Sequence, residues 1–310
     1  MLCNMCPHEC NVDRTKAKGR CKAEYLPTVS LVSLHKFEEP CISGENGSGT
    51  IFFSGCNLNC VYCQNSDISQ ELKGKKISIE RLAKIFIEEQ ERGAQNINLV
   101  TPTIYAYQIK EALKIAKNMG LNIPVIYNSS GYDKVETLRE LDQVIDVYLP
   151  DFKYAEDELG KKYSKVNNYA TVAHEAIKEM VRQKGAPKLN DKGHIISGVI
   201  IRHLILPNNV QNTKAVLKWI KDNVGQDVYI SVMAQYFPTN IISDENFPEL
   251  NRKITKEELN EVEEYIFDLG FENGFIQELG NHEEEYVPNF DGSNVLWLKV
   301  LHNYDIIDKK

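Results

Sequence analysis

Three cysteines, Cys56, Cys60 and Cys63, stand in the segment GTIFFSGCNLNCVYCQN at C-x3-C-x2-C spacing. That spacing places three thiolates on one tight loop, enough to hold a [4Fe–4S] cube by three irons and leave the fourth iron without a protein ligand. An iron left open in this way is available for chemistry. Gly55, Asn57, Asn59 and Asn65 surround the triplet with residue types that accept tight backbone geometry beside a bulky ligand. Tyr62 stands directly before the third cysteine. A structural zinc loop is the competing reading, but it wants four ligands, usually as two pairs, and no His or Cys follows Cys63 at zinc-finger spacing.

A second group, Cys3, Cys6, Cys10 and Cys21, has C-x2-C-x3-C-x10-C spacing. Four thiolates can complete an auxiliary iron–sulfur cluster or an all-thiolate zinc site, and the spacing leaves both open beside the reading without metal. Cys41 either substitutes for one of these four or is a buried, inert thiol. All eight cysteines precede residue 64, a clustering that in a reducing compartment favours metal ligation over disulfides.

The wider string EEPCISGENGSGTIFFSGCNLNCVYCQN resembles the radical S-adenosylmethionine (SAM) superfamily, and within it the proteins similar to pyruvate formate-lyase activating enzymes. The resemblance covers roughly residues 38–240. It implies a [4Fe–4S] cluster on Cys56, Cys60 and Cys63, SAM bound at the open iron, and reductive cleavage to a 5′-deoxyadenosyl radical. It further implies a flavodoxin or ferredoxin as electron donor. Two substrate classes then stand side by side: a glycine in a glycyl-radical enzyme, or a small molecule, peptide or RNA. A non-catalytic iron–sulfur or electron-transfer protein is the reading from a different class.

Elements that could position these residues follow from periodicity. Short apolar runs at Thr50–Phe53, Asn96–Val100, Pro124–Tyr127, Val144–Leu149, Ile195–Ile205 and Val228–Val232 read as strands. Between and after them, apolar residues at three- and four-residue spacing predict helices over Ile79–Arg92, Tyr105–Met119, Lys134–Leu141, Tyr169–Lys184, Thr213–Asn223 and Lys256–Leu269. Asn212 and Thr255 are the expected N-caps of the last two. The alternation predicts an α/β fold with a parallel sheet, and the resemblance implies a partial (β/α)6 TIM-like barrel. The expected organisation is a small loop-rich, cysteine-bearing segment at residues 1–45, a core at 46–240 and a helical and loop extension at 241–310.

Ligands gather at the carboxyl ends of such strands. The candidates there are Thr101 and Thr103 after the second strand, Asn128 and Ser130 after the third, and Asp151 and Lys153 after the fourth. Asp151 and Lys153 are two apart on an extended segment, so they share a side and can pair or jointly hold a zwitterion. They resemble the Asp-x-Lys element of glycyl-radical activating enzymes. At the second strand, Thr101 and Thr103 depart from the glycine-rich acidic-proline motif of the related enzymes. Arg202 lies in an otherwise apolar strand and needs an anionic partner in the barrel mouth, either the cofactor or Asp151. His203, on the opposite side, reads as a satisfied core histidine. Met233 and Gln235 follow the sixth strand, where an adenine ring could pack, and read as core by default.

The chain of 310 residues has 42% hydrophobic and 26% charged residues, ordinary globular values. A formal charge of −8 argues against nonspecific nucleic-acid binding, which needs phosphate-neutralising cations. The amino terminus lacks a signal-like apolar stretch, and no run is long enough to span a membrane. The expected location is the cytoplasm.

Overall fold

The computed structural model describes residues 2–280 and 288–296. Its strands in chain order are β1 (Thr28–His35), β2 (Ser48–Phe53), β3 (Lys75–Lys76), β4 (Ile97–Val100), β5 (Val125–Ser129), β6 (Val147–Pro150), β7 (Lys188–Leu189), β8 (Ile195–Leu204), β9 (Tyr229–Met233) and β10 (Gly274–Ile276). The sheet runs β10-β9-β8-β6-β5-β4-β2-β1-β3. From β2 to β10 every neighbouring pair is parallel, whereas β1 is antiparallel to both β2 and β3. Among the described residues β10 and β3 remain the two open edges, so the barrel is partial.

Helices α1 (Pro40–Ser43), α2 (Ser66–Ser69), α3 (Ile79–Glu91), α4 (Ala106–Asn118), α5 (Val135–Leu141), α6 (Asp157–Ser164), α7 (Tyr169–Lys184), α8 (Val210–Asn223) and α9 (Lys256–Leu269) complete the frame. Helix α3 shows why they dock. Leu82, Ala83, Ile85 and Phe86 recur at helical spacing and are all buried. Each of the larger three contributes roughly 1.5–3 kcal/mol by leaving water. Ser78 caps the helix by accepting from the Arg81 N–H.

Side chains on the parallel strands alternate between two environments, as strand geometry requires. Ile51, Leu99, Tyr127, Tyr148, Ile201 and Val232 face the helices. Ile126, Val147, Leu149 and Ile200 point the other way, into the barrel, where they pack against Cys41 and Ile42 of α1. The connection from β1 to β2 therefore closes the barrel from below. This settles Cys41 as a buried thiol of that floor.

All six expected strands are present, and the short elements α1, α2, β3, α6 and β7 were not expected, nor were the following features. The amino-terminal segment carries the eight-residue β1. A seventh parallel strand, β10, extends the sheet beyond β9. Helix α8 starts at Val210, with Asn209 as its N-cap, so Asn212 lies in the first turn. Thr255 caps α9 as expected, in a reciprocal capping box with Glu258. Parts of the expected carboxy-terminal extension, 281–287 and 297–310, lie outside the described residues. Among the described residues no helix is long and apolar enough to cross a membrane.

Candidate active site

Strand β2 delivers Ser54, Gly55 and Cys56 to the carboxyl end of the barrel. Gly55 is required there: its φ is 92°, and a Cβ would sit 2.7 Å from Ile104 Cδ1. The three thiols of Cys56, Cys60 and Cys63 line one cavity of about 770 Å³ at the barrel mouth. Each sulfur has a neighbour. The Leu58 N–H points at Cys56 Sγ at 3.4 Å, Ser164 Oγ lies 2.9 Å from Cys60 Sγ, and Ser69 Oγ lies 3.2 Å from Cys63 Sγ. Burial pushes the Cys56 thiol far up. Burial likewise raises Cys60, to about 11, although the Lys153 ammonium opposes the shift. Buried thiols of this kind need a metal to hold them as thiolates.

Tyr62 is buried in the cavity wall and its hydroxyl lies 2.6 Å from that of Tyr154. The Tyr154 hydroxyl continues to Ser164 Oγ at 2.8 Å, so one hydrogen-bonded chain joins Tyr62 to Cys60.

Asp151, Lys153 and Arg202 converge in the same cavity. Lys153 Nζ donates to Asp151 Oδ2 at 2.8 Å, and Arg202 Nε donates to Asp151 Oδ1 at 3.0 Å. Arg202 also reaches Glu38 Oε2 at 3.1 Å and Asn128 Oδ1 at 2.6 Å. Burial would raise the Asp151 carboxyl, but Lys153 and Arg202 reverse that and hold it below the usual carboxylate range. The segment is clamped from behind. Tyr169 Oη accepts the Lys153 N–H at 2.9 Å and lies 2.7 Å from the Asp151 carbonyl oxygen and 2.8 Å from that of Ser130. The Asn212 amide bridges the Ala155 N–H and the Lys153 carbonyl at 3.0 Å each, which explains why this residue is not a cap.

Thr101 lines the cavity with φ at 59°, a strained conformation for a β-branched residue. Asn128 and Ser130 line it as well, and Ser130 Oγ is a buried hydroxyl with no hydrogen-bond partner. Thr103 is placed elsewhere. Its hydroxyl donates to Asp133 at 2.8 Å in a buried cluster that also takes Tyr127 and Ser129. Met233 and Gln235, read as core, are on the cavity wall. His203 is the satisfied core histidine expected, between the Phe152 carbonyl and the Thr213 hydroxyl.

Glu38, Glu39, Ser69 and Ser164 were not among the sequence candidates. The two glutamates had a signal, their place just before Cys41 in the string that carries the resemblance. Ser69 and Ser164 had none, because their role exists only once α2 and α6 are packed.

Cys3, Cys6, Cys10 and Cys21 gather apart from the cavity. Burial raises the Cys6 thiol to about 12, with Cys21, Cys3 and Cys10 close enough to add to the shift. Among the described residues, no group of three or more Cys, His, Asp or Glu is arranged to hold a single metal ion. A cubane spreads its thiolates over separate irons, so this geometry does not bear against a cluster at either cysteine group.

The fold is a partial parallel α/β barrel with three thiols and an acid–ammonium–guanidinium group around one cavity at its strand ends. The chain belongs to the radical SAM superfamily, whose family model matches residues 50–220. An uncharacterized protein of Methanocaldococcus jannaschii is 35% identical over 286 residues, 86% of this chain and 76% of that protein. Pyruvate formate-lyase 1-activating enzyme of Escherichia coli K12 is 25% identical over 172 residues, 51% of this chain and 69% of that enzyme. The pyruvate formate-lyase-activating enzyme of Clostridium pasteurianum is 20% identical over 241 residues, 74% and 93% respectively.

Among solved structures, the FeFe-hydrogenase maturase HydG from Carboxydothermus hydrogenoformans matches with a TM-score of 0.51 and 14% identity, over 74% of this chain and 53% of that one. Streptococcus suis SuiB bound to S-adenosylmethionine matches at 0.50 and 16%, over 75% and 50%. The chain thus spans about half the length of these two, and the likeness is one of fold. Membership of the superfamily implies a [4Fe–4S] cluster and SAM. The residues present fit both: three thiols face one cavity, and the unpartnered Ser130 hydroxyl and the Asp151–Lys153 pair offer hydrogen bonds to a zwitterion.

Proposed function

We propose that this protein is a radical SAM enzyme that abstracts hydrogen from its substrate. The observation that carries this reading is the shared cavity of Cys56, Cys60 and Cys63 with Asp151, Lys153 and Arg202 at the strand ends. When bound, a reduced cluster would give one electron to SAM, which would then divide into methionine and a 5′-deoxyadenosyl radical that takes hydrogen from the substrate. A flavodoxin or ferredoxin delivers the electron.

The chain's own residues bind and orient. Cys56, Cys60 and Cys63 would hold the cluster, with the Ser164 and Ser69 hydroxyls placed to hydrogen-bond the sulfurs of Cys60 and Cys63. Lys153, Asp151 and Ser130 would take the amino-acid part of SAM, with Thr101 and Asn128 as further polar groups of the same cavity. Arg202 keeps Asp151 ionised and its carboxylate aimed. The apolar walls around Phe52, Leu58 and Leu204 exclude water from the reacting centre.

Similarity to the activating enzymes supports a glycine in a glycyl-radical enzyme as substrate. Glu39, a cavity-lining carboxylate whose buried Oε2 has no hydrogen-bond partner, favours a second reading, a small molecule. Electron paramagnetic resonance separates them. A glycyl-radical signal on mixing the reduced, SAM-loaded protein with a glycyl-radical enzyme of its host supports activation. Absence of that signal with every such enzyme, under conditions that cleave SAM, removes it.

A further inference from the structure

The connection between β1 and β2 brings Glu38 and Glu39 up through the barrel floor into the cavity. Their environments differ. Glu38 is used up by its neighbours: Oε2 accepts from Arg202 and Oε1 from the Asn98 amide at 2.9 Å. Glu39 is 8% exposed, lines the cavity, and its Oε2 is buried without any hydrogen-bond partner. A buried carboxylate oxygen left unpaired is costly, and more so when the group is charged. Such a group is kept where a ligand completes it.

Charge says what kind of ligand. The cavity holds three carboxylates, Glu38, Glu39 and Asp151, against two cations, Lys153 and Arg202. Asp151 is contacted by both cations and Glu38 by Arg202. No described cation makes a direct ion pair with Glu39, whose charge is met only at longer range by Arg202. Burial also raises the Glu39 carboxyl and Glu38 adds to the rise, with Arg202 and a hydrogen bond from the Ser231 side chain opposing it. A cationic ligand at Oε2 would relieve both costs. Pro40 follows directly and starts α1, whose Cys41 and Ile42 are locked in the barrel core, so the carboxylate is held in place from below.

We propose that Glu39 is a substrate-binding residue, and that the substrate is a small molecule whose protonated amine or guanidinium group docks against Glu39 Oε2 on the cavity floor. The inference rests on the radical SAM reading and selects the small-molecule substrate within it. A ligand anchored at the floor presents its remaining carbons upward, towards the end of the cavity lined by the three cysteines.

The test uses the anaerobically reconstituted holoprotein with saturating SAM and three probes of similar size: n-butylamine, n-butylguanidine and neutral n-pentanol. Isothermal titration calorimetry should show at least one cation binding ten times or more tighter than pentanol, and Glu39→Gln should abolish that preference. SAM affinity is measured on the same samples. Equal affinities of all three probes for the wild type would overturn the proposal without any variant. An equal loss of SAM and cation binding in Glu39→Gln would also overturn it, since Glu39 would then serve the cofactor. Failure of the wild type to bind SAM at all would refute the radical SAM reading itself, and this inference with it.

Discussion

His8 Nε2 lies 2.7 Å from the carbonyl oxygen of Asn57, the residue next to Cys56. A carbonyl only accepts, so Nε2 carries the proton and donates. The Asn57 side chain in turn donates to the Tyr132 carbonyl at 2.6 Å, and the His8 ring packs against Tyr132 at 5.5 Å between centroids. The amino-terminal cysteine segment is thereby tied to the backbone of the cluster loop.

His8→Ala leaves the Asn57 carbonyl without this donor, at a cost of about 1–3 kcal/mol. Amide hydrogen exchange at residues 56–59 should accelerate, with protection in α3 unchanged. Identical exchange in both regions would contradict the coupling.

Acid should weaken the fold partly through His203. Burial holds its ring down at about 4, against 6.5 for an ordinary histidine. Between these values the unfolded chain takes up a proton that the folded ring refuses, so stability falls as pH drops from about 6.5 to about 4. The total is about 3 kcal/mol, and this residue adds no slope above that window. Urea midpoints across pH 4–8 should show the slope, and His203→Gln should flatten it. A slope that survives the substitution intact would assign it to other groups.

Arg202→Met strips both Asp151 and Glu38 of their guanidinium and should cost about 3–5 kcal/mol, while Arg202→Lys keeps the charge and loses the fork, with an intermediate cost. Denaturant unfolding measures this, and SAM affinity should fall in the same order. A loss below about 1 kcal/mol for Arg202→Met would mean that water replaces the guanidinium.

Ser164 Oγ lies close to Cys60 Sγ, and hydrogen bonds to cluster sulfurs stabilise the reduced state. Ser164→Ala should therefore lower the midpoint potential of the cluster in a redox titration followed by electron paramagnetic resonance. An unchanged or higher potential would show that the hydroxyl turns to Tyr154 instead when the cluster is present.

The sequence showed what local pattern can show. Cys56, Cys60 and Cys63 were legible because a loop of eight residues carries the whole triplet, and the six strands because each is an apolar run. Strand β10 was hidden: it has three residues and opens on Gly274 at φ 143°, so neither run nor alternation marks it. Thr103 looked like a strand-end ligand, but Asp133, thirty positions on, claims its hydroxyl. Asn212 carried a capping residue's chemistry and spends it on the loop after β6. Glu38 and Glu39 stand just before Cys41 in the sequence, but only the packing of Cys41 and Ile42 inside the barrel brings them to the cavity. In each case a long-range partner decides what a locally ambiguous side chain does.

Dithionite-driven formation of 5′-deoxyadenosine by the anaerobically reconstituted wild type and by Cys56→Ala tests whether Cys56, Cys60 and Cys63 hold a cluster that cleaves SAM. The wild type should form product with about four irons on the barrel site, and Cys56→Ala should lose at least about a hundredfold. No product from a wild type carrying its full iron and sulfide, or equal product from the variant, would contradict it.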